Sequence, residues 1–419
     1  LSNLARLLGI SDFLWSDFLR MQHANLFPVV SDVAGLEQAS AKAELREALA
    51  VLLHTTPTGE ARRKALNAFK DREMFRIDMR QIQGHIKEFG RFSAELTDLA
   101  EVVVEAATGL AGRELRAQFG VPRLANGSEC ALSVCALGKC GGREMGFASD
   151  IELMFIFSGN GYTTGPRVIT TAEYFTKLVQ EVNRTIQTRR EGIFELDLRL
   201  RPYGSAGSMA ISLESLENYF GPDGDAWPYE RQALVKLRPI AGDLNFGQKI
   251  VRLRDKMIYT GETFDVAAMR AMRERQLRHL VKAGTLDAKF SPGALVDAEY
   301  LVQGLQITFG HLDPSLRQPN TRAAMQALAA MKIIPPADYP RLFEGFNFLR
   351  SLINALRIVR GNAKDLTVPE PNDEAFNFLA RRLNYGDDLI RLQNDLFRHT
   401  DFIYKLNRQL LGRLAQEVE

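Results

Sequence analysis

Two carboxylates, Asp150 and Glu152, follow the Gly141-Gly142 pair with seven residues between, in the run Gly-Lys-Cys-Gly-Gly-Arg-Glu-Met-Gly-Phe-Ala-Ser-Asp-Ile-Glu-Leu from Gly138 to Leu153. On a strand, residues i and i+2 share a face. Asp150 and Glu152 would therefore line one wet face while Ile151 and Leu153 turn into a core. Glycine-rich turns present backbone N–H groups to phosphate, and paired carboxylates take divalent ions. The combination suits a nucleoside triphosphate held through metal. A third carboxylate, Asp197, sits between Leu196 and Leu198 in the alternating run Ile193 to Arg199. On a neighbouring strand it would complete a two-metal site, with Asp150 and Glu152 bridging two Mg²⁺ ions. Asp197 would bind the ion that activates an attacking hydroxyl and would help to remove its proton. Attack in line on the α-phosphorus of the triphosphate would expel pyrophosphate, with positioning and charge neutralisation doing most of the work. Lys139, Arg199 and Arg201 are the natural phosphate clamps. Gly138, Gly141, Gly142, Arg143 and Ser149 complete the expected nucleotide-binding set. The plainer alternatives are a solvated acidic strand face and structural ion pairs for the three cations.

Other chemistries find less support. Gly138-Lys139 does not open a P-loop, because Cys140 replaces the Ser or Thr and Ser133 stands at the first glycine position. There is no Gly-x-Gly-x-x-Gly fingerprint. Cys130, Cys135 and Cys140 lack the short paired spacing and fourth ligand of a zinc site, so they read as reduced core thiols. The six histidines are scattered. Tyr203 and Trp227 are candidates to stack on adenine, although core packing is the commoner role of such residues. Glu73, Arg76 and Arg80 read as structural.

The elements that must hold these residues change character along the chain. Residues 1–118 read as a helical segment, with Leu45, Leu49 and Leu52 on one face and a break expected from Gly112 to Gly127. Residues 119–262 read as a small sheet domain. Cys130 to Leu137, Ile151 to Phe157 and Ile193 to Arg199 are its predicted strands, and Thr170 to Thr188 is a helix. Residues 263–419 read as a helical bundle, from periodic segments such as 265–283, 296–309, 321–331, 339–360 and 389–411, with linkers at Asp313-Pro314 and Val368 to Pro371. The expected fold class is α+β: a small mixed sheet flanked by helices, then a C-terminal helical bundle.

Bulk properties narrow the class. The chain has 419 residues, 46% hydrophobic and 25% charged, which is ordinary for a globular protein of more than one domain. A net charge of +2 provides no global field for nucleic acid or an anionic membrane. No run of about 18 apolar residues occurs, and no secretory signal is evident. A cytoplasmic protein with neither nucleic acid nor membrane as partner is expected. The chain begins with Leu1 rather than Met, as a fragment of a longer protein would.

The run from Gly138 to Glu152 closely resembles the active-site signature of the glutamine synthetase adenylyltransferase family, within the DNA polymerase β-like nucleotidyltransferase superfamily. Further likeness lies in Phe75-Arg-Ile77, Ser93 to Ala107, Glu195-Leu-Asp-Leu-Arg-Leu-Arg-Pro-Tyr-Gly204 with Gly207, Ala226 to Arg238, and Lys289 to Gln303. The resemblance implies a multifunctional enzyme of nitrogen metabolism, built of two fused halves. One half attaches AMP from ATP to a tyrosine of glutamine synthetase, with Mg²⁺ or Mn²⁺ as cofactor; the other removes it by phosphorolysis. It also implies regulation by glutamine and a PII signalling protein. A single site resembles a single half. Ala148-Ser149, Ala226-Trp227, Gln232 to Leu234 and Val296-Asp297 favour the attaching half, with the removing half, or a regulatory half with a weakened site, as alternatives. Three positions depart from the pattern. Glu152 stands where Asp is usual, one methylene longer, Ala294 where Gly is usual, and Tyr300 where Phe is usual.

Overall fold

The computed structural model describes residues 36–188, 193–360 and 364–416. They form two compact units: 36–226 with 236–257, and 227–235 with 258–416. The early part of the expected N-terminal segment, residues 1–35, lies outside the described residues.

The first unit opens with three helices, α1 (Lys42–Thr55), α2 (Gly59–Ile82) and α3 (Arg91–Phe119). Leu45, Leu49 and Leu53 carry the buried face of α1. Thr58 caps α2 by accepting from the Ala61 N–H. The break expected from Gly112 to Gly127 begins later: α3 runs through Gly112 and ends at Gly120, whose φ of +76° stops it, and Pro122 to Gly127 are non-helical as expected. A continuous buried face, including Val103, Ala107, Leu110, Ala111 and Leu115, outweighs the low helix propensity of two glycines.

Beyond α3 lie β1 (Pro122–Leu124), β2 (Leu132–Ala136), the single turn α4 (Gly138–Gly141), β3 (Ile151–Phe157), β4 (Gly161–Thr163), α5 (Thr171–Thr185), β5 (Leu196–Asp197), β6 (Ala210–Ser212) and α6 (Leu213–Phe220). The second unit takes α7 (Pro228–Ala233); β7 (Arg238–Gly242) and most of α8 (Leu244–Ile258) return to the first. The sheet order is β5-β3-β2-β7, and β6 also pairs with β3. Antiparallel β2 and β3 register Ala136 against Leu153. On the other edge of β3, β5 and β6 pair in parallel at residues 151–152 and 155–157, so they lie end to end. Residues 198–209 loop out between them.

β5 is much shorter than the alternation from Ile193 to Arg199 predicts. Side chains take the ladder's hydrogen bonds: the Asp197 carboxylate accepts from the Arg199 N–H, and Arg201 Nη1 donates to the Leu198 carbonyl.

The second unit is helical: α9 (Val266–Leu280), α10 (Leu295–Phe309), α11 (Thr321–Ala330), α12 (Tyr339–Arg360), α13 (Glu374–Arg382) and α14 (Leu389–Gln416). Asp265, Asn320 and Asp373 cap α9, α11 and α13. One core, with Leu301, Met325, Phe346, Leu356, Phe376 and Ile403 almost wholly buried, joins these helices. Asp313-Pro314 caps and begins a 3₁₀ turn rather than a loose linker. Val368 is tied down by its N–H to the Leu286 carbonyl at 2.7 Å. The architecture is α+β, a small mixed sheet with flanking helices and a helical C-terminal region, as the sequence patterns predict.

Candidate active site

The glycine-rich turn follows directly from β2. The Leu137 N–H donates to the Glu152 carbonyl, which carries the chain from the end of β2 across β3. Gly138 then adopts φ +48° and starts α4. A Cβ on Gly138 would lie 1.4 Å from Glu152 Oε2, so only glycine leaves room for that carboxylate. Glu152 uses the space to accept from the Lys139 N–H at 2.9 Å. Gly141 is as tightly placed, since its Cβ would meet the Lys236 carbonyl at 2.0 Å. Gly142 N–H donates to the Gly138 carbonyl and closes the turn.

Parallel pairing sets Glu152 directly beside Asp197 on β5. The neighbouring Ile151 N–H donates to the Glu195 carbonyl at 2.8 Å, which continues the ladder up to Asp150. Asp150 and Glu152 are part-exposed while Ile151 and Leu153 are buried, as the strand period requires. Lys139 Nζ lies 3.8 Å from Asp150 Oδ1. Asp197 is bound by Arg199, whose Nε lies 2.9 and 3.1 Å from the two carboxylate oxygens and whose Nη2 lies 2.6 Å from Oδ2. Burial works to raise the Asp197 carboxyl, but the Arg199 hydrogen bonds and charge outweigh it and hold it below the usual range.

The remaining predicted residues divide. Arg143, at φ +56°, turns toward α3 and pairs with Asp98 at 3.0 Å and Glu101 at 3.5 Å. Ser149 is buried, and its hydroxyl accepts from the Gly146 N–H at 2.9 Å. Arg201 is buried with its guanidinium directed at the carbonyls of Leu198, Ser205 and Gly207, so it ties the 198–207 loop together. Tyr203 and Trp227 are not core: they are 61% and 63% exposed. Tyr203 sits at φ +60° with its hydroxyl donating to Asp225, and its ring meets Tyr219 edge-on at 4.8 Å. Glu73, Arg76 and Arg80 are structural, with Arg76 on Glu73 and Arg80 on Glu95. The three cysteines are buried free thiols.

The donor set has the chemistry of a hard divalent cation site: three carboxylates from two paired strands, with oxygen ligands only. As placed, their side chains point to different partners. Among the described residues no group of three or more His, Cys, Asp or Glu side chains converges tightly enough to hold an ion.

Sequence reasoning passed over what lies behind the turn. Glu101, 1% exposed in the apolar stretch of α3, accepts from Lys42, Arg143 and Arg238. Arg238 on β7 also donates to the carbonyls of Cys140 and Gly141, both at 2.9 Å. Lys236 and Glu144, both buried, pair at 2.6 Å. A charge set between Leu99-Ala100 and Val102-Val103-Val104, on the buried side of a helix, is the signal that could have marked Glu101.

Residues 1–253 match the family described as glutamate-ammonia ligase adenylyltransferase, and residues 267–411 match that described as GlnD PII-uridylyltransferase. Among curated relatives, bifunctional glutamine synthetase adenylyltransferase/adenylyl-removing enzymes are similar. That of Thioalkalivibrio sulfidiphilus is 30% identical over 84% of this chain and 36% of its own length. That of Pseudomonas putida is 29% identical over 87% and 38%, and that of Streptomyces avermitilis 33% identical over 76% and 32%. The chain spans about a third of the length of these relatives.

Proposed function

This chain belongs to the glutamate-ammonia ligase adenylyltransferase family, and on that premise we propose that it transfers AMP from ATP to a tyrosine of glutamine synthetase. The observation that carries the reading is the parallel register of Glu152 with Asp197, with Asp150 two residues from Glu152, beside a turn whose Gly138 leaves room for the Glu152 carboxylate.

Asp150, Glu152 and Asp197 would hold Mg²⁺ or Mn²⁺. Such an ion would neutralise triphosphate charge and favour the ionised form of the attacking hydroxyl. Lys139, beside Asp150, supplies a positive charge to phosphate oxygens. Asp197, whose two oxygens already accept from the Arg199 guanidinium, is placed to receive a cation. Glu152 is long enough to reach past Gly138, and the space left by that glycine accommodates its extra methylene. Arg201 acts through the loop it ties, as a positioning residue. The match of residues 267–411 to a PII-uridylyltransferase supports a PII protein as regulator, and ATP and glutamine synthetase as substrates imply a cytoplasmic setting.

The test uses α-labelled ATP, Mg²⁺ and unmodified glutamine synthetase, with Asp150→Ala and Asp197→Ala beside wild type. Label on the synthetase with wild type and none with either variant is expected. No label, together with ADP release from adenylylated synthetase and phosphate, would replace attachment with removal. Silence in both directions would overturn the enzymatic reading.

A further inference from the structure

Asp197 and Arg199 are two residues apart and fully engaged with each other. Both carboxylate oxygens receive guanidinium donors at 2.6–3.1 Å, and the Arg199 backbone N–H adds a fourth bond at 2.9 Å. The guanidinium is nevertheless open to water, the Arg199 side chain being 76% exposed against 12% for Asp197. Arg201 shows the opposite arrangement, buried and spent on three carbonyls. One arginine therefore builds the loop and the other closes on the carboxylate.

We propose that Arg199 is a built-in counter-cation that occupies Asp197 until a divalent ion displaces it, and whose released guanidinium then serves an anionic group of the nucleotide. The proposal rests on the reading of Asp150, Glu152 and Asp197 as metal ligands. The exchange makes and breaks no covalent bond: one positive partner replaces another on the same two oxygens. The exchange is favoured because the open guanidinium is returned to water while the largely buried Asp197 carboxylate keeps a positive partner throughout, and hard divalent ions favour carboxylate oxygens. Once swung free, the planar fork offers donors suited to phosphate.

Mn²⁺ binding to the full chain, measured without nucleotide by the paramagnetic resonance signal of the free ion, tests this. Arg199→Lys keeps the charge but loses the bidentate fork; Arg199→Gln loses both. Both variants should bind Mn²⁺ about two- to fivefold more tightly than wild type, the factor that corresponds to releasing an ion pair with one solvent-exposed partner. Tightening in Arg199→Gln alone would mean simple charge repulsion and overturn the exchange, as would wild-type affinity in both. Mn²⁺ binding that persists unchanged in Asp150→Ala would instead overturn the metal-ligand reading beneath it. Matching thermal melts confirm that the exposed substitutions leave the fold intact.

Discussion

Two arginine–carboxylate pairs flank the glycine-rich turn, and they are built for opposite purposes. Behind the turn, Glu101 is 1% exposed, gathers Lys42, Arg143 and Arg238, and through Arg238 grips the carbonyls of Cys140 and Gly141. In front, Asp197 is held by one solvent-exposed arginine. Breaking the Glu101 cluster strands an unsolvated charge, whereas releasing Arg199 returns its guanidinium to water and leaves the largely buried Asp197 carboxylate to a replacement cation. The first pair is scaffold and the second is exchangeable. Both rest on carboxylate–guanidinium contacts, and the number of cations and the exposure of the arginine separate them.

The comparison is broken most directly at Glu101. Glu101→Ala should destabilise the first unit by about 3–5 kcal/mol, since three cations lose their shared acceptor in a buried setting. Chemical denaturation followed by circular dichroism measures it. Its pH dependence has a defined sign. Burial pushes the Glu101 carboxyl up, but Arg238 and then Lys42 more than offset this and hold it below its ordinary value of 4.5. A depressed carboxyl contributes stability above its unfolded pKa and loses it as pH falls through the folded one. Wild-type stability should therefore fall as pH drops below 4.5, and Glu101→Gln should flatten that limb. An unchanged limb would mean that Glu101 is not the group being titrated.

Gly141→Ala probes the same scaffold by steric means. The new Cβ would sit 2.0 Å from the Lys236 carbonyl, a backbone atom with little freedom to yield. A loss of about 1–3 kcal/mol is expected, in the range of overpacking, with the proposed AMP transfer falling alongside as the turn shifts. A stable, fully active variant would show that the turn is looser than its packing indicates.

On the exposed side, Arg199→Ala should change stability by less than about 1 kcal/mol while altering metal and nucleotide binding. A loss as large as that of Glu101→Ala would make Asp197–Arg199 a second scaffold pair and erase the distinction.

How much of this is readable in the chain follows from period and type. β3 was legible to the residue, because Ile151 to Phe157 is a bounded apolar run, and Asp150, Glu152 and Asp197 were legible as carboxylates in strand register. The length of β5 was not, because it depends on where the Asp197 carboxylate and the Arg201 guanidinium donate or accept. Arg201 could not be told from Arg199 by type or spacing; burial divides them, and burial is a property of the folded loop. Ala148, Phe194 and Tyr203 all take positive φ near the site, which no side-chain pattern announces. Glu101 and Arg238 lie 137 positions apart, and nothing local in either stretch pairs them. The break wrongly expected to begin at Gly112 shows the reverse limit: a glycine weakens a helix locally, and tertiary burial overrides it.

The subtlest prediction concerns Cys140, which stands in the turn itself but belongs to its buried side. Its carbonyl accepts from Arg238, and burial pushes its thiol up to about 12, as it does that of Cys135. Only the thiolate reacts with alkylating reagents, so iodoacetamide at pH 8 should leave both cysteines unmodified in the folded chain and label them once guanidinium unfolds it. Because local opening precedes reaction, the labelling rate reports the free energy of opening the turn. Glu101→Gln should speed labelling of Cys140, and Arg199→Gln should leave it at the wild-type rate. Mass spectrometry of timed digests separates the two sites. Equal acceleration by both substitutions would join the front and back of the turn into one cooperative unit, and the division between scaffold and exchangeable pair would have to be withdrawn.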